Sequence, residues 1–203
     1  MVLGERRRDT QAQPFTIGYL ARISTEKGLL ALCEAYVRFR QMPGVSAARL
    51  DVAGYLAPDQ QNYLKDAERR LTNAGFGGEF TYRGALDREQ KIDFLRGLDV
   101  FSVPTVYVEP KGLFLLEAMA CGVPVVQPRH GAFPEMLAKT RGGILVEPDD
   151  PQSLAEGLYT LWKDPALRVE LGENAFEGVR AHYSISRSAD RMLEVYEKSA
   201  CFP

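Results

Sequence analysis

Residues 108–126 read VEPKGLFLLEAMACGVPVV. The stretch passes from a Pro/Gly loop through an apolar helix into a strand. Gly112 is placed to open the helix, which carries Leu113, Leu115, Leu116, Ala118, Met119 and Ala120, and Gly122 is placed to end it. The VPVVQP that follows is a short, β-branched apolar run and reads as a buried strand.

The same alternation runs outward in both directions. Upstream, FTIGYLA (residues 15–21) reads as a strand entering the turn-like RISTEKG, and GLLALCEAYVRFR has Leu29, Leu32, Cys33, Tyr36 and Val37 at helical spacing. ARLDVAG is a second strand, PDQQNYLKDAERRLTNAG a polar amphipathic helix closed by Gly75, and EFTYRG a third strand. Asp87 and Gln90 have capping-box spacing, which starts a helix at about Arg88 before the strand DVFSVP. Downstream, GGILVEP adds a last strand, and helices fill residues 151–198. Strands this apolar, alternating with helices, predict an α/β fold: a three-layer, doubly wound, Rossmann-like parallel sheet with both faces covered. Ligands in such sheets bind beyond the carboxyl ends of the strands, so the loops after Ala21, Ala53, Arg83, Pro104 and Pro128 share one rim.

Composition narrows the partners. At 203 residues, with 45% hydrophobic and 26% charged residues, the chain suits one globular domain, and a net charge of −2 offers no field for a polyanion. Nucleic acid is therefore disfavoured. Cys33, Cys121 and Cys201 are odd in number, far apart and without metal-site spacing, which suits reduced thiols in a cytoplasm. No apolar run reaches the ~18 residues that span a bilayer. A polar lead or interdomain linker over residues 1–14 precedes the domain at 15–203, and no internal linker or repeat divides the rest.

Two carboxylates remain to be explained. Glu117 lies in the apolar helix, where it either turns to solvent or accepts hydrogen bonds. Glu109 sits in the preceding loop. Free N–H groups at Gly112 and Leu113, at the positive end of the helix dipole, would seat a phosphate between them. Taken alone, two glutamates at one spacing are commonplace. The residues around them are more specific: EPKGLFLLEAMACGVPVV resembles the signature of the family 4 retaining glycosyltransferases, and ARISTEKG, VAG, YRGAL, HGAFPEML and GGILVEPDDPQSLAEGL resemble that family's other C-terminal segments.

The resemblance implies the C-terminal half of a GT-B fold, the half that holds a nucleoside-diphosphate sugar as donor substrate, with no other cofactor and no metal. Within it, Glu117 corresponds to the residue that binds the ribose hydroxyls and Glu109 to the catalytic-site residue that meets the donor sugar. Arg22 and Lys27 correspond to the diphosphate ligands. Gly54, Arg83, Gly84 and Leu86 fall in donor-side turns, and Gly112 and Leu113 at the phosphate end of the helix. Three departures stand out: Ala21 where Gly is common, Lys111 where an aromatic is frequent, and Ala132 where a second Gly is usual. His130 reads as a pocket wall or a surface residue, Glu135 as a helix-start charge, Trp162 as core, and His182 and Tyr183 as packing between C-terminal helices. The family's N-terminal acceptor domain has no counterpart here, and any membrane contact would be made through that missing half. The expected activity is metal-independent transfer of a hexose with the anomeric configuration kept, the chain alone binding donor without turning it over. The competing reading is a nucleotide-sugar binding or assembly module completed by a partner chain; a nucleotide-sugar 2-epimerase lacks this signature.

Overall fold

The computed structural model describes residues 14–200. Six parallel strands form one sheet: β1 (Phe15–Leu20), β2 (Ala48–Ala53), β3 (Phe80–Tyr82), β4 (Val100–Phe101), β5 (Val125–Pro128) and β6 (Gly143–Val146), in the order β3-β2-β1-β4-β5-β6. The helices are α1 (Leu29–Arg40), α2 (Gln61–Asn73), α3 (Arg88–Arg96), α4 (Leu113–Ala120), α5 (Phe133–Thr140), α6 (Pro151–Lys163), α7 (Pro165–Tyr183) and α8 (Ile185–Ala200). α1 packs against α2 and α6, while α7 packs against α4 and α5, which gives the two helical layers of a doubly wound fold. The order reverses between β1 and β4, and in open parallel sheets that crevice is where a ligand sits.

The middle of the sheet is dry. Ile17, Tyr19, Leu50, Val52, Val100, Phe101, Val125 and Val126 are fully buried, with Tyr36, Phe39 and Leu29 from α1 on one side and Leu115, Met119 and Phe133 on the other. β4 is shorter than DVFSVP implied; just past it, Ser102 still donates its N–H to the Gly18 carbonyl of β1 at 2.9 Å and its hydroxyl to the Val126 carbonyl at 2.7 Å. The expectation that every strand lacks a wet face fails at the edges. β3 and most of β6 are half-buried, since an edge strand has a neighbour on one side alone.

Local signals hold elsewhere. The Asp87 carboxylate accepts from the Gln90 N–H at 2.9 Å, and the Gln90 side chain accepts from the Asp87 N–H at 3.0 Å, so α3 begins with a complete capping box. Trp162 packs on the core, edge-on to Phe39 at 6.5 Å and stacked on Tyr159 at 5.4 Å. His182 and Tyr183 lie in the last turn of α7 rather than between helices. Residues 1–13 of the polar lead and Cys201 fall outside the described residues; Cys33 and Cys121 are buried free thiols. Among the described residues no helix is long and apolar enough to cross a membrane.

The reciprocal cap gives a direct test of the α3 start. Asp87→Ala is expected to lower stability by about 1 kcal/mol, read as a lower urea midpoint at unchanged slope.

Candidate functional site

The switch point at the carboxyl ends of β1 and β4 is built from two loops that hold each other. After β1 the chain passes Arg22 and makes a short 3-10 turn, Thr25–Lys27, ending at Gly28, whose φ of 74° is left-handed. A Cβ at Gly28 would lie 1.8 Å from the Pro104 carbonyl oxygen, so glycine is what lets this turn touch the loop after β4. A backbone bond from Val106 N–H to the Glu26 carbonyl at 3.1 Å joins the same two loops.

Lys27 and Glu109 meet there. The Lys27 Nζ lies 2.7 Å from Glu109 Oε2 and 2.7 Å from the Tyr107 hydroxyl, which itself donates to the same carboxylate oxygen. The ammonium also faces the Phe114 ring, 5.2 Å from its centroid. The other oxygen, Oε1, accepts from the N–H groups of Lys111 and Gly112, each at 3.2 Å. Glu109 is only 5% exposed. Burial alone would push its carboxyl up, but the hydrogen bonds from Lys27, Tyr107, Gly112 and Lys111 overcome it and hold the group at about 2. Burial works against the Lys27 charge too, and its bonds to Glu109 and Tyr107 prevail, holding the ammonium above its ordinary value.

One expectation is corrected by this geometry. Gly112, in a left-handed conformation at φ 61°, does open α4, yet its N–H is not free: the loop's own Glu109 takes it. A carboxylate three residues before a helix N-terminus is the nearest anion, and the dipole and unpaired N–H groups favour it there. The HGAF segment then fixes Glu109 from behind. Ala132 N–H donates to the Glu109 carbonyl at 2.8 Å, and a Cβ on Gly131 would come within 2.4 Å of that oxygen. Met136 and Phe133 lie against Gly112, so the start of α5 backs the start of α4. His130 is held to the Thr105 carbonyl through Nε2 at 2.8 Å.

The remaining predicted residues form neighbouring groups on the same rim without joining this cluster. Glu117 is half-exposed, five residues along α4, and accepts from Lys91 Nζ of α3 at 2.5 Å through Oε1. Arg22 is exposed and paired with Glu26 at 2.6 Å. Gly54 lies beside the first loop, where a Cβ would meet the Ala21 carbonyl at 1.7 Å; its N–H donates to the Gly84 carbonyl at 2.9 Å. Arg83 donates to Asp51 at 3.1 Å, Leu86 is partly buried, and Leu113 is exposed. Glu135 pairs with Lys139 at 2.6 Å on the outside of α5. Tyr107 and Lys91 were not singled out by the sequence. A tyrosine in a loop has no spacing signal, and Lys91 reads as one more polar residue of an amphipathic helix.

The sequence model described as Glycosyl transferases group 1 matches residues 5–178. Over 197 residues the chain is 29% identical to the D-inositol 3-phosphate glycosyltransferase of Corynebacterium jeikeium (strain K411), an alignment covering 96% of this chain and 46% of that protein. It thus spans about half the length of the curated relatives it matches. The C-terminal domain of the glycosyl transferase group 1 family protein LpcC from Francisella tularensis aligns with a TM-score of 0.76 at 28% identity, covering 85% of this chain and 89% of that one. Anabaena Alr3699/HepE, crystallised in complex with UDP and glucose, shares the fold at a TM-score of 0.81 and 22% identity, covering 92% of this chain and 49% of that one. A six-stranded doubly wound sheet with its polar cluster at the switch point, and a family match over most of the sequence, lead to one conclusion: the chain belongs to the glycosyl transferases group 1 family and corresponds to the C-terminal domain of its GT-B members.

Proposed function

We propose that the chain is the donor-binding half of a retaining glycosyltransferase that moves a hexose from a nucleoside-diphosphate sugar to an acceptor without a metal ion. The observation that carries this reading is the pair of a half-buried Lys27 and a buried Glu109 at the β1/β4 switch point, beside the N-terminus of α4. Leaving diphosphate carries the charge that develops as the glycosidic bond breaks, and cations standing beside the crevice stabilise it. Lys27 and Arg22 take that role. Glu117 receives the ribose hydroxyls and Glu109 a hydroxyl of the donor sugar. Arg83, Gly84 and Leu86 lie beside the base, and Gly54 and Leu113 line the phosphate path. The acceptor is seated by another domain, so this half alone binds donor and does not turn it over. Such an enzyme works in the cytoplasm, where Cys33 and Cys121 stay reduced. The C. jeikeium relative is named for an inositol phosphate, and the Anabaena HepE structure is a complex with UDP and glucose; the second supports the donor class, and neither chooses this chain's acceptor.

The lysine and arginine replace a cation, so UDP affinity is expected to be unchanged when chelator replaces magnesium in a calorimetric titration. A strict divalent requirement would overturn the metal-independent reading. Glu117→Ala is expected to weaken UDP and UDP-glucose alike by about 1–3 kcal/mol, because both carry the ribose. Glu109→Gln should retain bare UDP, since it releases Lys27, and lose about 1 kcal/mol or more of the extra affinity contributed by the sugar. Equal losses for both ligands would show that Glu109 does not meet the sugar.

The depressed Glu109 carboxyl also sets a pH dependence. Its folded-state pKa of about 2 lies below its unfolded value, so its contribution to stability is fully present above about pH 4.5 and is lost as pH falls toward 2. Urea midpoints of the parent should therefore fall through that window, and those of Glu109→Gln should fall less steeply.

A further inference from the structure

Tyr107 is the uncharged member of the cluster and bonds to both charged ones. Its hydroxyl lies 2.7 Å from Lys27 Nζ and donates to Glu109 Oε2. These polar bonds, rather than packing, place the side chain. Tyr107 is itself 37% exposed, its neighbours Val106 and Val108 are 49% and 71% exposed, and its carbonyl is held by the Thr105 hydroxyl at 3.2 Å.

Lys27 has two demands on it. In the free protein it neutralises a carboxylate that is almost wholly out of water, whereas a phosphate in the crevice requires the same ammonium. Without a substitute, moving Lys27 would leave Glu109 Oε2 with no side-chain partner, and an unpaired buried oxygen costs about 1–3 kcal/mol, more when charged. We propose that Tyr107 is a positioning residue that supplies this substitute: its phenol keeps its hydrogen bond to Glu109 Oε2 while Lys27 turns to the anion, so that diphosphate binding does not strip the buried carboxylate. The inference rests on the reading of this crevice as the diphosphate site. Tyr107 is assigned no contact with the ligand, which separates it from Lys27.

The test is a set of calorimetric titrations with inorganic pyrophosphate and with UDP on the parent, Tyr107→Phe, Glu109→Gln and the double variant, with Lys27→Ala as control and a urea midpoint recorded for each. Tyr107→Phe should weaken pyrophosphate about fivefold or more. In the Glu109→Gln background the same change should alter affinity by less than about twofold, because no buried charge remains to be satisfied. Tyr107→Phe binding as the parent does would overturn the proposal. So would an equal loss in both backgrounds, which would mean direct ligand contact or general loosening of the loop. Lys27→Ala binding pyrophosphate as tightly as the parent would instead remove the diphosphate reading itself and the Tyr107 role with it.

Discussion

The bond between Glu109 and the N-terminus of α4 organises the ligand-binding rim. Its carboxylate takes the Gly112 and Lys111 N–H groups through one oxygen and Lys27 and Tyr107 through the other, so a single side chain ties the loop after β1, the loop after β4 and the first turn of α4. Its main chain is tied in turn to the HGAF segment through Ala132. A carboxylate this buried is tolerable because each oxygen has partners and one of them is charged. A buried charge pair is weak evidence for stability in itself, since its desolvation offsets much of the attraction. Its value here is that it fixes where a cation and an anion stand relative to a helix terminus.

Placement of that cluster follows from topology. Because β1 lies between β2 and β4, the helices that follow these strands leave on opposite faces, and their loops part at the β1/β4 junction. The glycines that close the rim do so by having no Cβ. At Gly28 and Gly131 any side chain would collide with backbone atoms of the facing loop, at Pro104 and Glu109 respectively. Such contacts are local constraints with a distant purpose, since neither glycine has to face a ligand to be required. Around them stand further paired charges: Glu117 with Lys91 and Arg22 with Glu26 are exposed enough to exchange partners at modest cost, whereas Arg83 pairs with the buried Asp51.

The exposed apolar side chains are concentrated in two places. Val106, Tyr107, Val108 and Leu113 surround the crevice, and Ile185, Met192, Leu193, Val195 and Tyr196 lie along α8.

Much of this was legible in the chain itself. Alternating apolar runs and helical periods set the order of elements. Asp87 and Gln90 announced the start of α3, and Gly112 marked the opening of α4, because capping and left-handed turns depend on residues within three or four positions. The resemblance around Glu109 and Glu117 pointed to the family and the rim. What the sequence could not contain is pairing between residues far apart along it. Lys27 and Glu109 are 82 positions apart and Lys91 and Glu117 are 26, and only the parallel sheet brings the members of each pair within hydrogen-bond reach. For the same reason the Gly112 N–H read as free in the sequence and is occupied in the fold. Whether a polar group is available is decided by what tertiary structure places within about 3 Å of it, and Tyr107, with no spacing signal of its own, acquired its place in the cluster only there.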